Sequence, residues 1–415
     1  MKHVQAAKDG AFAAILADGS VVTWGDPDAG GNISEVQDQL KGVQQVHATA
    51  GAFAAILADG SVVTWGSPLL GGNSSEVQGQ LRNVRRIEAT QTAFAAILSD
   101  GSVVTWGQSA SGGDSSAVQD QLSCVRAIQA AGFAFAATLE DGSVVAWGAP
   151  DFGGDNSGVQ DQLVGVQNVY ATDYAFAAIL DGGSVVTWGR PDRGGQSSSV
   201  QDQLRNVQEL QATNCAFAAI LSDRSVVTWG SEFSGGDSAA VRNQLRDVKQ
   251  IHGSSHAFAA ILADRSVVTW GHPACGGDSS AVQHQLKDVL TIQAAGFAFA
   301  AVPQMDLSLR GALTILLAAL SKISSQASRQ DYMLGLKCWW VTQKFTSVLQ
   351  VSLDSGVLEE LAHDLNMPER QIFLGPQRIG VVVKYWVINP PGVILHPSIG
   401  IYWGWSLPRI SWRES

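Results

Sequence analysis

Apolar residues in this chain gather into short runs that return every 41 residues. The second copy shows the unit. Val43–Ala48 (VQQVHA) places apolar anchors at Val43, Val46 and Ala48, and Ala52–Leu57 (AFAAIL) is short and apolar throughout. Residues 61–66 (SVVTWG) are rich in β-branched and aromatic side chains, as strands are. Between the last two runs, Asp59-Gly60 reads as a two-residue type I′ hairpin turn, because glycine supplies the positive φ that such a turn needs. Three strands per copy follow. A fourth element lies in residues 74–81 (SSEVQGQL), where Val77 and Leu81 recur in every copy. Their four-residue spacing fits one helical turn and their place fits an edge strand, so both readings stand.

The tryptophans of the W-G dipeptide fall at Trp24, Trp65, Trp106, Trp147, Trp188, Trp229 and Trp270, each 41 residues from the last. Such strict self-similarity marks one supersecondary unit duplicated in tandem. No copy can bury its own apolar face, so copies must stack, and a closed ring removes the exposed sheet edges that an open stack would leave. The expected fold is all-β, a seven-bladed β-propeller of 41-residue repeats over residues 1–302, with the seven tryptophans as packing residues. Residues 289–302 begin an eighth copy and stop at Pro303 without a W-G, which makes eight blades the alternative. In the sixth and seventh copies Arg224 and Arg265 replace the turn glycine. Positive φ in an L-residue costs about 1 kcal/mol relative to glycine.

The pattern A-F-A-A-I-L-x-D-G-S-V-V-T-W-G, then Gly-Gly, then V-x-x-x-L-x-x-V-x-x-I-x-A, resembles the repeat of the regulator of chromosome condensation family. The resemblance covers roughly residues 4–302 and implies a seven-bladed propeller. These repeats are shorter than is usual there, and Gly-Gly (Gly30-Gly31, Gly71-Gly72) replaces a longer glycine motif. Similar repeats occur in ubiquitin ligases that end in a HECT catalytic domain. Residues 303–415 are too short for that domain, and Cys338, their single cysteine, lacks its catalytic context.

Variation between copies concentrates in two stretches. The pair before A-F-A-A runs Asp9-Gly10, Ala50-Gly51, Gln91-Thr92, Gly132-Phe133, Asp173-Tyr174, Asn214-Cys215, Ser255-His256 and Gly296-Phe297. The four residues after W-G run DPDA, SPLL, QSAS, APDF, RPDR, SEFS and HPAC. Strand order brings both stretches to one face of the ring, opposite the Asp-Gly turns. Variable tips on a constant scaffold, several of them aromatic, form a candidate partner-binding face. It comprises Gln91, Phe133, Phe152, Asp173, Tyr174, Arg190, Arg193, Asn214, Glu232, Phe233, His256 and His272.

The chain carries a formal charge of −11, and the acidic excess sits in the repeats. Such a surface repels phosphate, so no direct nucleic-acid contact is expected, while a basic protein partner remains compatible. Four scattered cysteines without C-x-x-C spacing fit a reducing compartment, and the start lacks a signal-peptide core. A soluble protein, cytoplasmic or nuclear, with no membrane contact is expected. His252, His256, His272 and Cys275 are metal-ligand types near one blade end, but neighbouring copies place Gln, Tyr or Ser there and no carboxylate completes a set. Asp26 and Asp28 begin a loop that lacks the twelfth-position acid of a calcium site, Gln37 standing there. No phosphate-binding, dinucleotide or nucleophile-elbow motif occurs, so neither cofactor, metal nor catalysis is expected.

The reading is a non-catalytic protein-interaction scaffold. The alternatives are a guanine-nucleotide exchange factor for a small GTPase and the substrate-binding part of a HECT-type ubiquitin ligase. The partners would be a small GTPase, a ubiquitin-pathway protein or histones. Residues 303–415 abandon the repeat for an α+β or irregular extension, with helices expected at 307–323 and 357–365.

Overall fold

A computed structural model describes residues 3–303 and three short strands beyond them, Leu316–Ala318, Val387–Asn389 and Val393–Leu395. Eight three-stranded antiparallel sheets follow one another along the chain. They are blades 1 to 8, at residues 3–25, 43–66, 84–107, 125–148, 166–189, 207–230, 248–271 and 289–318. In blade 2 the inner, middle and outer strands are Val43–Ala48, Ala52–Leu57 and Val62–Gly66, with Phe53 opposite both Ala48 and Trp65. All eight inner strands end at one central cavity of about 570 Å³, lined from Gln5 in blade 1 to Ala294 in blade 8. The architecture is a β-propeller.

The sheet count is eight, not seven. The eighth copy lacks a W-G strand, and Leu316–Ala318 takes its place against Ala298–Pro303. That segment falls inside the helix expected over 307–323. The unpaired edge of the eighth middle strand takes these residues into a ladder, overriding their local helical preference. The helix expected at 357–365 and Cys338 lie outside the described residues. Val387–Asn389 and Val393–Leu395 pair as an antiparallel two-stranded sheet in a second compact unit.

The middle strands explain the A-F-A-A signature. Ala11, Ala13, Ile15 and Val21 of blade 1 pack on Phe53, Ala55, Val63 and Trp65 of blade 2. The opposite face of blade 2, Ala52, Ala54, Ile56 and Val62, packs on Phe94, Ala96, Val104 and Trp106 of blade 3. Each middle strand is thus buried on both faces. Alanine on one sheet and phenylalanine with tryptophan on the next let neighbouring blades approach at native packing density.

The hairpin turn is not the type I′ turn expected. Leu57 donates its N–H to Ser61, Gly60 donates to Leu57, and Gly60 alone has positive φ, at 77°. This is a three-residue loop closed by a left-handed glycine, with the Asp59 carboxylate accepting from the backbone N–H and hydroxyl of Ser61. Arg224 and Arg265 adopt the same conformation at 63° and 66°, as their substitution for glycine implied.

The fourth element is neither strand nor α-helix. Residues 74–81 form turns, and equivalent segments such as Gln119–Gln121 are single 3-10 turns. Gln78 closes the outer strand instead. Its amide donates to the Val62 carbonyl at 2.9 Å while Ser74 donates to its Oε1. Gln119, Gln160, Gln201 and Gln283 repeat the contact on Val103, Val144, Val185 and Val267.

Candidate functional site

Among the described residues, blades 1 to 7 each end at the variable face in a short 3-10 turn, held in most of them from three sides. Pro68–Leu70 shows how. Gly71 caps the turn at φ 96° and donates its N–H to Pro68. A Cβ on Gly71 would stand 2.6 Å from the ring of Phe94 in the next blade, so no larger residue fits there. The Gly71 carbonyl accepts the indole N–H of Trp106 at 3.0 Å. The Gly-Gly pair is therefore the seat on which the next blade rests.

The third hold is one the sequence reading missed. Thr49, buried at the end of the inner strand, donates to the Leu70 carbonyl at 2.9 Å and ties the turn to the sheet. Thr213 does the same to Ser234, Thr172 to Arg193 and Ser254 to Cys275. The signal was present as Thr or Ser just before the variable pair in most copies, but a hydroxyl there reads as an ordinary turn residue.

On this frame the face splits into two zones. In blades 2 to 8 the first residue of the variable pair lines the central cavity, which places Gln91, Asp173 and Asn214 there and not at the tips. Their backbones form a ladder around it: Gln91 donates to Gly132, Gly132 to Asp173, Asp173 to Asn214 and Asn214 to Ser255. The first copy also holds an extra residue. Ala7 pairs with Ala11 as Thr49 pairs with Ala52, so Lys8 is inserted relative to the other copies. Lys8 lines the cavity with Asp173. Burial raises the Asp173 carboxyl above its ordinary range, and the charges of Lys8 and His256 oppose that rise.

The second residue of each pair meets the turns around it. Phe133 packs edge-on to Phe152, with centroids 4.8 Å apart, and Phe152 stacks on Tyr174 of the next blade at 5.0 Å. Arg190 and Arg193 stand over the Tyr174 ring at 5.7 and 5.6 Å. Asp192 pairs with Arg190 at 3.0 Å and lies 3.3 Å from Arg193 Nε, which finds no aligned hydrogen bond. Arg193 Nη1 donates to Cys215 Sγ at 3.2 Å. Phe133, Phe152, Tyr174, Arg190 and Arg193 thus form one unbroken patch.

A second cluster lies on blades 6 and 7. Phe233, 58% exposed, leans on His272 at 4.2 Å and His256 at 5.5 Å, while Ser234 hydrogen-bonds His256 Nδ1 at 2.9 Å. Burial and the neighbouring His272 lower the His256 pKa. Glu232 begins the turn that carries Phe233. Among the described residues no three His, Cys, Asp or Glu side chains come together as a metal site, and no helix is long and apolar enough to cross a membrane.

No family model and no curated protein matches the chain. Among solved structures it is similar to Prp20p of Saccharomyces cerevisiae, studied for its binding to Gsp1p and histones. The identity is 16% and the TM-score 0.39, over 65% of this chain and 84% of that one. It is similar to the CRINKLY WD40 ectodomain of the Arabidopsis thaliana receptor kinase ACR4 at 16% identity and TM-score 0.35, over 65% and 96%. Human WBSCR16 shares 14% identity at TM-score 0.35, over 71% and 85%. The architecture rests on the eight sheets themselves. Fold and face together define an eight-bladed β-propeller whose sequence varies on one side.

Proposed function

We propose that this protein is a non-catalytic scaffold that binds a protein partner through the variable face of blades 4 to 7. The continuous contact from Phe133 through Phe152 and Tyr174 to Arg190 and Arg193 carries the reading. Aromatic and arginine side chains dominate binding energy at protein interfaces, and here the turn that carries Arg193 is tied to its sheet by buried Thr172. Exchange on a small GTPase and substrate capture for a ubiquitin ligase are the alternatives to this reading, and the partner's identity chooses among them.

The test compares affinity capture from cell lysate by the full chain and by a Phe152→Ser, Tyr174→Ser variant. A partner retained by the natural chain and lost by the variant, at equal melting temperature, supports the reading. Equal capture by both would remove it.

A further inference from the structure

The central cavity carries two tiers of side chains. The deeper tier has one residue per blade, set opposite the middle-strand phenylalanine: Ala6 against Phe12, Ala48 against Phe53, and so on to Ala294 against Phe299. Every member is alanine except Gly253, so the wall here is apolar and the space it encloses stays open. The outer tier is the rim, where polar side chains differ from blade to blade: Lys8, Gln91, Asp173, Asn214 and Ser255. Its backbone is already engaged. From Asp9 to Ser255 each rim N–H donates to the carbonyl of the next blade, which leaves recognition to the side chains. Among the described residues neither the Lys8 ammonium, the Asp173 carboxylate nor the amides of Gln91 and Asn214 have a hydrogen bond or ion pair. Lys8 belongs to blade 1 and Asp173 to blade 5, four places apart in a ring of eight, so the base and the acid stand on opposite walls.

We propose that this rim binds a short free peptide of two or three residues, its N-terminal ammonium on Asp173, its C-terminal carboxylate on Lys8 and its side chains toward the alanine tier. A lone cation would be repelled by Lys8 and a lone anion by Asp173, whereas a ligand with opposite charges at its two ends matches both walls. Length agrees with charge. A cavity of about 570 Å³ is on the order of 10 Å across, and two or three extended residues span about 7–11 Å. Gln91 and Asn214 each offer a donor and an acceptor to the peptide groups between the charged ends. A largely apolar cavity with a few polar groups converging at its mouth is the usual form of a small-ligand site. The rim is separate from the aromatic patch, and neither reading depends on the other.

The test mixes the full chain with a library of unblocked tripeptides and identifies those bound by native mass spectrometry. Retention is expected, and N-acetylation or C-terminal amidation of the retained sequences should weaken binding at least about tenfold, the loss of one charge-assisted pair. Asp173→Asn and Lys8→Met should each weaken the unblocked peptide to the same extent at an unchanged melting temperature. Acetylation should then cost nothing further in Asp173→Asn, and amidation nothing further in Lys8→Met. No retention by the natural chain would overturn the proposal. So would binding indifferent to blocking both ends, a result that needs no variant to fold, or binding that both variants keep.

Discussion

Trp106 donates its indole N–H to the carbonyl of Gly71 at 3.0 Å, which fastens blade 3 to the loop of blade 2. The same glycine lies under the Phe94 ring at a φ that favours glycine. Gly71→Ala is therefore expected to destabilise by about 2–4 kcal/mol, from backbone strain and overpacking together. Trp106→Phe keeps an aromatic in the stack but removes the donor, and is expected to lose about 1–3 kcal/mol. Urea denaturation of both variants measures these losses, and a neutral Gly71→Ala would contradict the packing described.

The two arginine turns point the other way. Arg224 and Arg265 hold positive φ where the other copies have glycine. Arg224→Gly and Arg265→Gly should each stabilise by about 0.5–1 kcal/mol, read as a rise in melting temperature. A fall in either would mean that the arginine side chain contributes more than its backbone strain costs.

Thr213 links the inner strand to the turn that presents Phe233. Its hydroxyl donates to the Ser234 carbonyl at 3.0 Å and accepts from the Ala216 N–H at 3.1 Å. Thr213→Val keeps the shape and orphans both groups, with an expected cost of about 1–3 kcal/mol. Phe233→Ser, by contrast, removes a mostly exposed ring and should change stability by less than about 0.5 kcal/mol. Hydrogen exchange separates the two, since only the threonine variant should loosen residues 231–235.

Stability should fall on mild acidification. Burial, with repulsion from Arg86 and His3, lowers the His47 pKa to about 4. The unfolded chain binds a proton on this residue below about pH 6.5, while the folded protein does not until near 4. The contribution of His47 is thus complete above pH 6.5, shrinks as pH falls through that window, and is lost near 4, at most about 3 kcal/mol in all. Denaturation at pH 7.5, 5.5 and 4 should show the loss, and His47→Gln should flatten it. An equal slope in the variant would assign the effect elsewhere.

Lys8 and Asp173 make a further check inside the cavity. The positive charge of Lys8 offsets part of the burial that raises the Asp173 carboxyl. Lys8→Met should move that titration higher, followed by the carboxyl carbon resonance of Asp173. An unmoved titration would show that the two groups do not sense each other.

The blades were legible because their signals are periodic. Phe53 and Trp65 recur at fixed offsets, so one reading served all seven W-G copies. What escaped was set by contacts between copies. Lys8 as an insertion shows only when Ala7 is seen to pair where Thr49 pairs. Leu316–Ala318 has no strand signature of its own and is a strand because blade 8 lacked a third one. On the variable face, the sequence brought Phe152 and Tyr174 to the same side. It could not show that the residue before Tyr174 turns inward to line the cavity, because adjacent positions at a strand end diverge only once the neighbouring blades are in place.

The seat of Gly, Trp and Phe between blades has an evolutionary corollary. Every W-G blade after the first meets its predecessor through the same partners, from Trp65 on Gly30 to Trp270 on Gly235. Unequal recombination that removes or adds one 41-residue copy in frame creates no new kind of junction and leaves each surviving one chemically intact. Selection on such a gene can therefore change the number and order of its tips while the contacts that fold it stay the same.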